Sequence, residues 1–131
     1  QISLSLGCIW INADAQTHDE AVSLISHLPV LISAGLLNTL STNISSPLYL
    51  LAQKIASSGF TDTSRVGGGN PELGVSMAKF NKENVMKSLL SFRTCLNLFE
   101  KYVHEEDWSN LEKLLVNAKE VRKQFIPKTT N

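Results

Sequence analysis

The sequence predicts an all-α fold, a bundle-like arrangement of about five helices preceded by one short strand. Apolar residues recur at steps of three and four over most of the chain, and Ser-Pro, Asn-Pro and lone aspartate signals punctuate it as helix starts do. The only segment of strand character, residues 8–12, has no partner strand in the sequence, and a lone strand cannot satisfy its backbone. The 131 residues, 43% of them apolar, suit one globular body. Twelve basic side chains balance twelve acidic ones, which removes the cationic surplus that phosphate backbones attract, so no nucleic-acid partner is expected. Cys8 and Cys95 show neither CxxC nor Cys/His spacing, and His18, His27 and His104 are scattered. No metal site is expected, and two reduced thiols make a cytoplasmic location the simplest one.

At the start, Ile2, Leu4 and Leu6 alternate with Ser3 and Ser5 as in a strand, yet Gly7 stands where a helix would end; periodicity leaves both readings open. Cys8, Ile9, Trp10 and Ile11 read more firmly as a strand at the edge of a larger sheet. The first residue is Gln1 rather than Met, and an upstream segment is expected to have been removed. No basic stretch followed by an apolar core marks a secretory signal.

Thr17 and Glu20 have capping-box spacing, which predicts a helix from near His18 to about Leu40, kinked at Pro29. Residues 21–40 contain no Asp, Glu, Lys or Arg. Ser23, Ser26, His27, Ser33, Asn38 and Thr39 make this stretch too polar for a lipid-facing span, and basic anchors are missing, so no membrane is expected. A small chain cannot bury so long an uncharged helix alone, and a homodimer is the simplest cover for it. Ser46 and Pro47 start a second helix over residues 48–56, stopped before Gly59, and residues 60–70 read as a loop. Asn70, Pro71 and Glu72 open a short helix to about Phe80. Asn81 then caps a long helix whose Val85, Leu89, Phe92, Leu96, Phe99 and Val103 form an apolar seam. Glu105 and Glu106 make a turn, and Asp107 caps a last helix carrying Trp108, Leu111, Leu115, Ala118 and Phe125.

Gly67, Gly68 and Gly69 beside Arg65 are the conspicuous local feature. They match neither GxxxxGK[ST] nor GxGxxG, and no strand precedes them, so a nucleotide loop is not indicated. Glycines also let backbone approach a ligand or a neighbour closely, and Asp62 and Arg65 in the same stretch are candidates for holding a carboxylate. From spacing alone the plainer reading, a solvated loop with an ordinary ion pair, is favoured. His27 read alone is a hydrogen-bonded core histidine, and Ser26 has no acidic partner for a hydrolase triad. Ser23, Ser26, His27 and Ser33 fall roughly along one stripe of their helix.

Three runs taken together go further: THDEAV at residues 17–22, LISHLPV at 24–30 and SSGFTDTSRVGGGNPELG at 57–74. In order and spacing they resemble the C-terminal half of the prephenate/arogenate dehydrogenases, the cyanobacterial type above all; after Asn81 the likeness is one of pattern only. The resemblance implies that residues 1–12 are a remnant of an N-terminal dinucleotide-binding Rossmann domain, and that residues 13–131 form a helical dimerisation and substrate-binding domain. It implies an oxidoreductase of tyrosine biosynthesis that removes a hydride and carbon dioxide from arogenate or prephenate. NADP or NAD would be bound mainly by the N-terminal domain, which also carries the catalytic histidine, so no catalytic residue is assigned to this chain and it should be inactive alone. Arg65 resembles the family's carboxylate-binding arginine, Asp62 an acid of the adjoining ionic network, and Ser26 and His27 the pocket-lining pair. Val30 stands where some prephenate-using members carry a second histidine, which favours arogenate. The competing reading is a non-catalytic helical module for homodimerisation or interaction.

Overall fold

The computed structural model describes residues 11–41 and 46–126. Among them lie six helices and no strand: α1 (Ala15–Ser41), α2 (Pro47–Ile55), α3 (Ser58–Ser64), α4 (Pro71–Phe80), α5 (Lys82–His104) and α6 (Trp108–Phe125). The strand expected over residues 8–12 lies mostly outside the described residues, and Ile11 and Asn12, which are described, belong to no strand. The chain groups into two compact units, residues 1–89 and 90–131.

In the first unit α1 starts one turn earlier than the Thr17–Glu20 spacing predicts. Asp14 is the N-cap: its Oδ1 accepts from the Thr17 backbone N–H at 2.9 Å, and its Oδ2 accepts from the Thr17 hydroxyl at 2.7 Å. A carboxylate caps at least as well as a threonine hydroxyl, so the aspartate takes the position and Thr17 becomes its donor. Those bonds, the backbone one first, hold the Asp14 carboxyl below its ordinary range.

The kink expected at Pro29 takes the form of a π turn just upstream, Ser23–His27, in which the Leu28 N–H reaches back five residues to the Ser23 carbonyl. Proline has no N–H, and its ring crowds the carbonyl four residues before it; widening the preceding turn makes room without ending the helix. Ser23 and Ser88 are both buried, and their hydroxyl oxygens lie 2.8 Å apart. Ser23 gives its one proton to the Glu20 carbonyl at 2.7 Å, so Ser88 donates to Ser23. That bond fastens α5 to the π turn beside Val85, the one fully buried hydrophobic side chain among the described residues.

Ser46 and Pro47 start α2 as expected, with the Tyr49 N–H bonded to Ser46 Oγ at 3.1 Å. Residues 58–64, expected within or next to a loop, form α3 instead. Their Ser, Gly, Thr and Asp composition lacks an apolar period and reads as a turn, but Ser33 Oγ on α1 donates to the Thr63 carbonyl at 2.7 Å and stabilises the helix from outside. Asn70 caps α4, as its Asn-Pro-Glu signal predicts. Asn81 joins α4 to α5 through its backbone, donating to the Met77 carbonyl and accepting from the Val85 N–H. Its side chain does not cap α5 but reaches α1.

α1 has 27 residues and a mean hydropathy of 1.6, long and apolar enough to cross a membrane by length and composition alone. Its serines nevertheless bond to α5 and α3 within the domain, as those of a core helix do. Apolar side chains elsewhere in the first unit stay uncovered: Leu48 is 74% exposed, Ile55 69% and Phe80 80%.

In the second unit the apolar seam is half-buried at Phe92 and Phe99 and exposed at Leu96 and Val103. α5 ends in a Schellman turn: the Asp107 N–H bonds the Tyr102 carbonyl at 2.8 Å, and the Glu106 N–H bonds the Val103 carbonyl at 3.3 Å. Asp107 then caps α6, accepting from the Asn110 side chain at 2.6 Å and from its backbone at 3.1 Å, bonds that lower its pKa in that order. Glu106 occupies the left-handed position of this turn at φ 55°, where a β-carbon is strained. Glu106→Gly is expected to stabilise the α5–α6 hairpin by about 0.5–1 kcal/mol, read as a raised urea midpoint followed by helical circular dichroism; an unchanged or lowered midpoint counts against strain at this residue.

Candidate functional site

The site expected around Arg65 is built on a contact between two backbones. α3 stops at Ser64, Arg65 is its C-cap, and the chain turns through Gly67, Gly68 and Gly69 to the Asn70 cap of α4. Ser33, buried on α1, holds this turn at two points: its Oγ donates to the Thr63 carbonyl and accepts from the Gly67 N–H at 2.8 Å. Gly67 lies so close to α1 that a β-carbon there would collide with the backbone of Ser33 and Ala34 and stand 2.6 Å from Ser33 Oγ. Only glycine permits that approach. The Gly68 N–H is bonded to the Ser64 carbonyl at 3.3 Å. These two glycine N–H groups are committed within the protein, and the turn follows a helix rather than a strand, so it is no phosphate cradle.

The four residues singled out in the sequence fall in two places. Asp62 and Arg65 are exposed on α3 and its C-cap, and α3 packs against the second half of α1. Among the described residues no ion pair joins Asp62 to Arg65, so the ordinary surface pair that spacing favoured is not formed and the guanidinium is free to meet an anion. Ser26 and His27 are half-buried on the π turn, against which α4 packs. His27 Nδ1 meets the Asn81 side-chain nitrogen at 3.4 Å.

Two cavities adjoin these places. One of about 310 Å³ has Val30 and Ala34 of α1, Val66 and Gly67 of the turn, and Pro71 and Val75 of α4 in its walls. The other, about 610 Å³, lies among Leu37, Leu40, Tyr49, Ala52 and Phe60. None of Ser26, His27, Asp62 and Arg65 lines either one; Arg65 stands next in sequence to Val66 at the rim of the first. The described residues include no cluster of three or more His, Cys, Asp or Glu suited to a metal ion. Sequence reasoning missed Ser33, Ser88 and Asn81 as the residues that tie the elements together. Their only signal is small polar side chains on otherwise apolar helix faces, and their partners lie 30 to 65 residues away.

Helices that leave much of their apolar surface uncovered, with an arginine displayed beside a locked glycine turn, define a helical association domain that carries a binding element. The comparisons specify which. The family model for the prephenate dehydrogenase dimerization domain matches residues 14–117, and the chain belongs to this family. It is similar to the crystal structure of Synechocystis arogenate dehydrogenase, with 40% identity and a TM-score of 0.89 over 94% of this chain and 44% of that one. It is similar also to prephenate dehydrogenase of Aquifex aeolicus, solved with hydroxyphenyl propionate and NAD+, at 28% identity and a TM-score of 0.80 over 94% of this chain and 42% of that one. Prephenate dehydrogenase of Bacillus subtilis (strain 168) is 27% identical over 113 residues, 86% of this chain and 30% of that enzyme. The chain thus spans less than half the length of these relatives.

Gly67→Ala is expected to destabilise the first unit by about 1–3 kcal/mol, the cost of forcing a methyl group into packed backbone. Gly68→Ala, whose β-carbon would meet its nearest neighbours at 3.9 Å, is expected to change stability far less. Equal denaturation midpoints for the two variants would remove the Ser33–Gly67 contact as the anchor of the turn.

Proposed function

We propose that this chain is the helical C-terminal part of an NADP- or NAD-dependent arogenate or prephenate dehydrogenase of tyrosine biosynthesis, where it forms the homodimer contact and one wall of the substrate pocket. The observation that carries this reading is Arg65, exposed and unpaired among the described residues, on a turn anchored to α1 by Ser33 and Gly67. The hydroxyphenyl propionate held by the Aquifex aeolicus relative bears a carboxylate. A guanidinium grips such a group through two parallel N–H bonds, and Arg65 is assigned that role here. Asp62, one helical turn earlier, is the acid of its surroundings, and Ser26 and His27 offer hydrogen bonds to the polar groups of the substrate. Val30, an apolar wall of the smaller cavity, offers the side chain of a keto acid no hydrogen bond, which supports arogenate over prephenate.

The described residues do not fit a dinucleotide, because the N–H groups of Gly67 and Gly68 are bonded within the protein. The cofactor and the catalytic histidine are therefore assigned to a Rossmann domain outside this chain, and no chemical step is placed on it. The uncovered apolar surface also suits a non-catalytic homodimerisation module. A coding sequence for GxGxxG within about 150 residues upstream distinguishes the enzyme from the module.

In the whole enzyme, Arg65→Ala is expected to raise KM for arogenate or prephenate about ten- to a hundredfold, the size of one or two hydrogen bonds to a charge, with KM for the cofactor unchanged. Arg65→Lys should restore little of the loss, since an ammonium lacks the planar fork. Unchanged substrate kinetics in both variants would remove the assignment. For the dimer, Leu24 and Ile25 on α1 are 52% and 63% exposed, and a stable interface covers about 800 Å² on each partner. Sedimentation at micromolar concentration is expected to give a dimer, and a monomer alone would overturn the burial argument.

A further inference from the structure

His27 ends the π turn of α1 with one ring nitrogen engaged and the other without a hydrogen bond among the described residues. Which nitrogen carries the proton decides whether the free edge can donate or only accept. The engaged side is defined by Asn81. The Asn81 atom 2.7 Å from the Asp19 carbonyl oxygen must be its amide nitrogen, because a carbonyl only accepts. Its Oδ1 in turn accepts from Asn84 Nδ2 at 2.9 Å. Both ends of the amide are fixed, and flipping it would set oxygen against oxygen at Asp19. The same Nδ2, with its second hydrogen, faces His27 Nδ1 at 3.4 Å. A proton on Nδ1 would set N–H against N–H, so Nδ1 must present its lone pair. The one carboxylate on a residue of this cluster, Asp19, is turned to His18 at 3.0 Å and does not compete for the ring.

We propose that Asn81 is a positioning residue that holds neutral His27 as the Nε2–H tautomer, so that the ring offers the substrate pocket a hydrogen-bond donor. The donor would meet an oxygen of an anionic or hydroxylated substrate, a role that rests on the reading of His27 as pocket-lining given above. The tautomer itself does not depend on that reading and is measured without substrate.

The test is a long-range 1H–15N correlation spectrum of the labelled chain at about pH 8.5, above the ordinary histidine range. Exposed His104, which makes no hydrogen bond among the described residues, serves as the internal reference. In the wild type His27 is expected almost wholly as Nε2–H, beyond the bias shown by His104. Asn81→Ala is expected to relax His27 to the His104 pattern, and Asn81→Asp, which replaces the donor with an acceptor, to invert it toward Nδ1–H. A wild-type His27 that matches His104 or carries its proton on Nδ1 overturns the proposal. So does a pattern unmoved by both substitutions when helicity is retained. The wild-type spectrum decides even if a variant does not fold. Failure of the pocket reading would show elsewhere, as unchanged substrate kinetics of His27→Ala in the whole enzyme.

Discussion

The hydroxyl of Ser33 is the point on which the arrangement around Arg65 depends. It accepts from Gly67 and donates to Thr63, so one atom closes the end of α3 and fixes the glycine turn against α1. A single hydroxyl can do this because it is donor and acceptor at once, and because the missing β-carbon of Gly67 lets the backbones meet. The turn therefore has little freedom where it touches the helix, although it is made of residues that usually confer it. Arg65 is exposed, yet the backbone two residues on is clamped. Such a combination suits a charged side chain that must find an anion repeatedly in the same place.

A second constraint comes from the apolar character of α1. A helix with no Asp, Glu, Lys or Arg over residues 21–40 has little besides serines and a histidine with which to make directional contacts, and it uses them one by one. Ser23 pairs with Ser88, Ser33 with the turn, and His27 with Asn81. Hydrophobic contact sets how much surface is buried but not in which register helices meet; buried hydrogen bonds settle the register, since a shifted arrangement would leave them unpaired. The apolar remainder, including Leu24 and Ile25, stays open to the outside. That division agrees with membership of a family defined by dimerization.

Much of this was readable in the sequence where chemistry is local. Ser46-Pro47, Asn70-Pro71-Glu72 and Asp107 each cap the helix they announce, because a cap is made within three residues. The errors fall where a distant residue intervenes. α3 looked like loop because its stabilising bond comes from Ser33, 30 residues earlier, and the strength of Asp14 as a cap displaced the Thr17–Glu20 signal. Asn81 looked like a cap and serves as a bridge to α1. The motif around Arg65 was legible as a family likeness in residues 57–74, whereas the reason for its glycines was not: their neighbour is a helix that lies elsewhere in the sequence.

The π turn has a further consequence for how α1 tolerates change in length. A turn closed over five residues holds one residue more than an α-helical turn, and each residue of a helix advances it by about 100°. Deleting a single residue from Ser23–His27 would let the segment close as ordinary α-helix while swinging everything before it, the Asp14 cap included, by more than a quarter revolution about the axis. Ser23 would leave Ser88, and the Asp19 carbonyl would leave Asn81. An extra residue at this position is thus a phase setting between the two halves of one helix, which an alignment would record only as a one-letter gap.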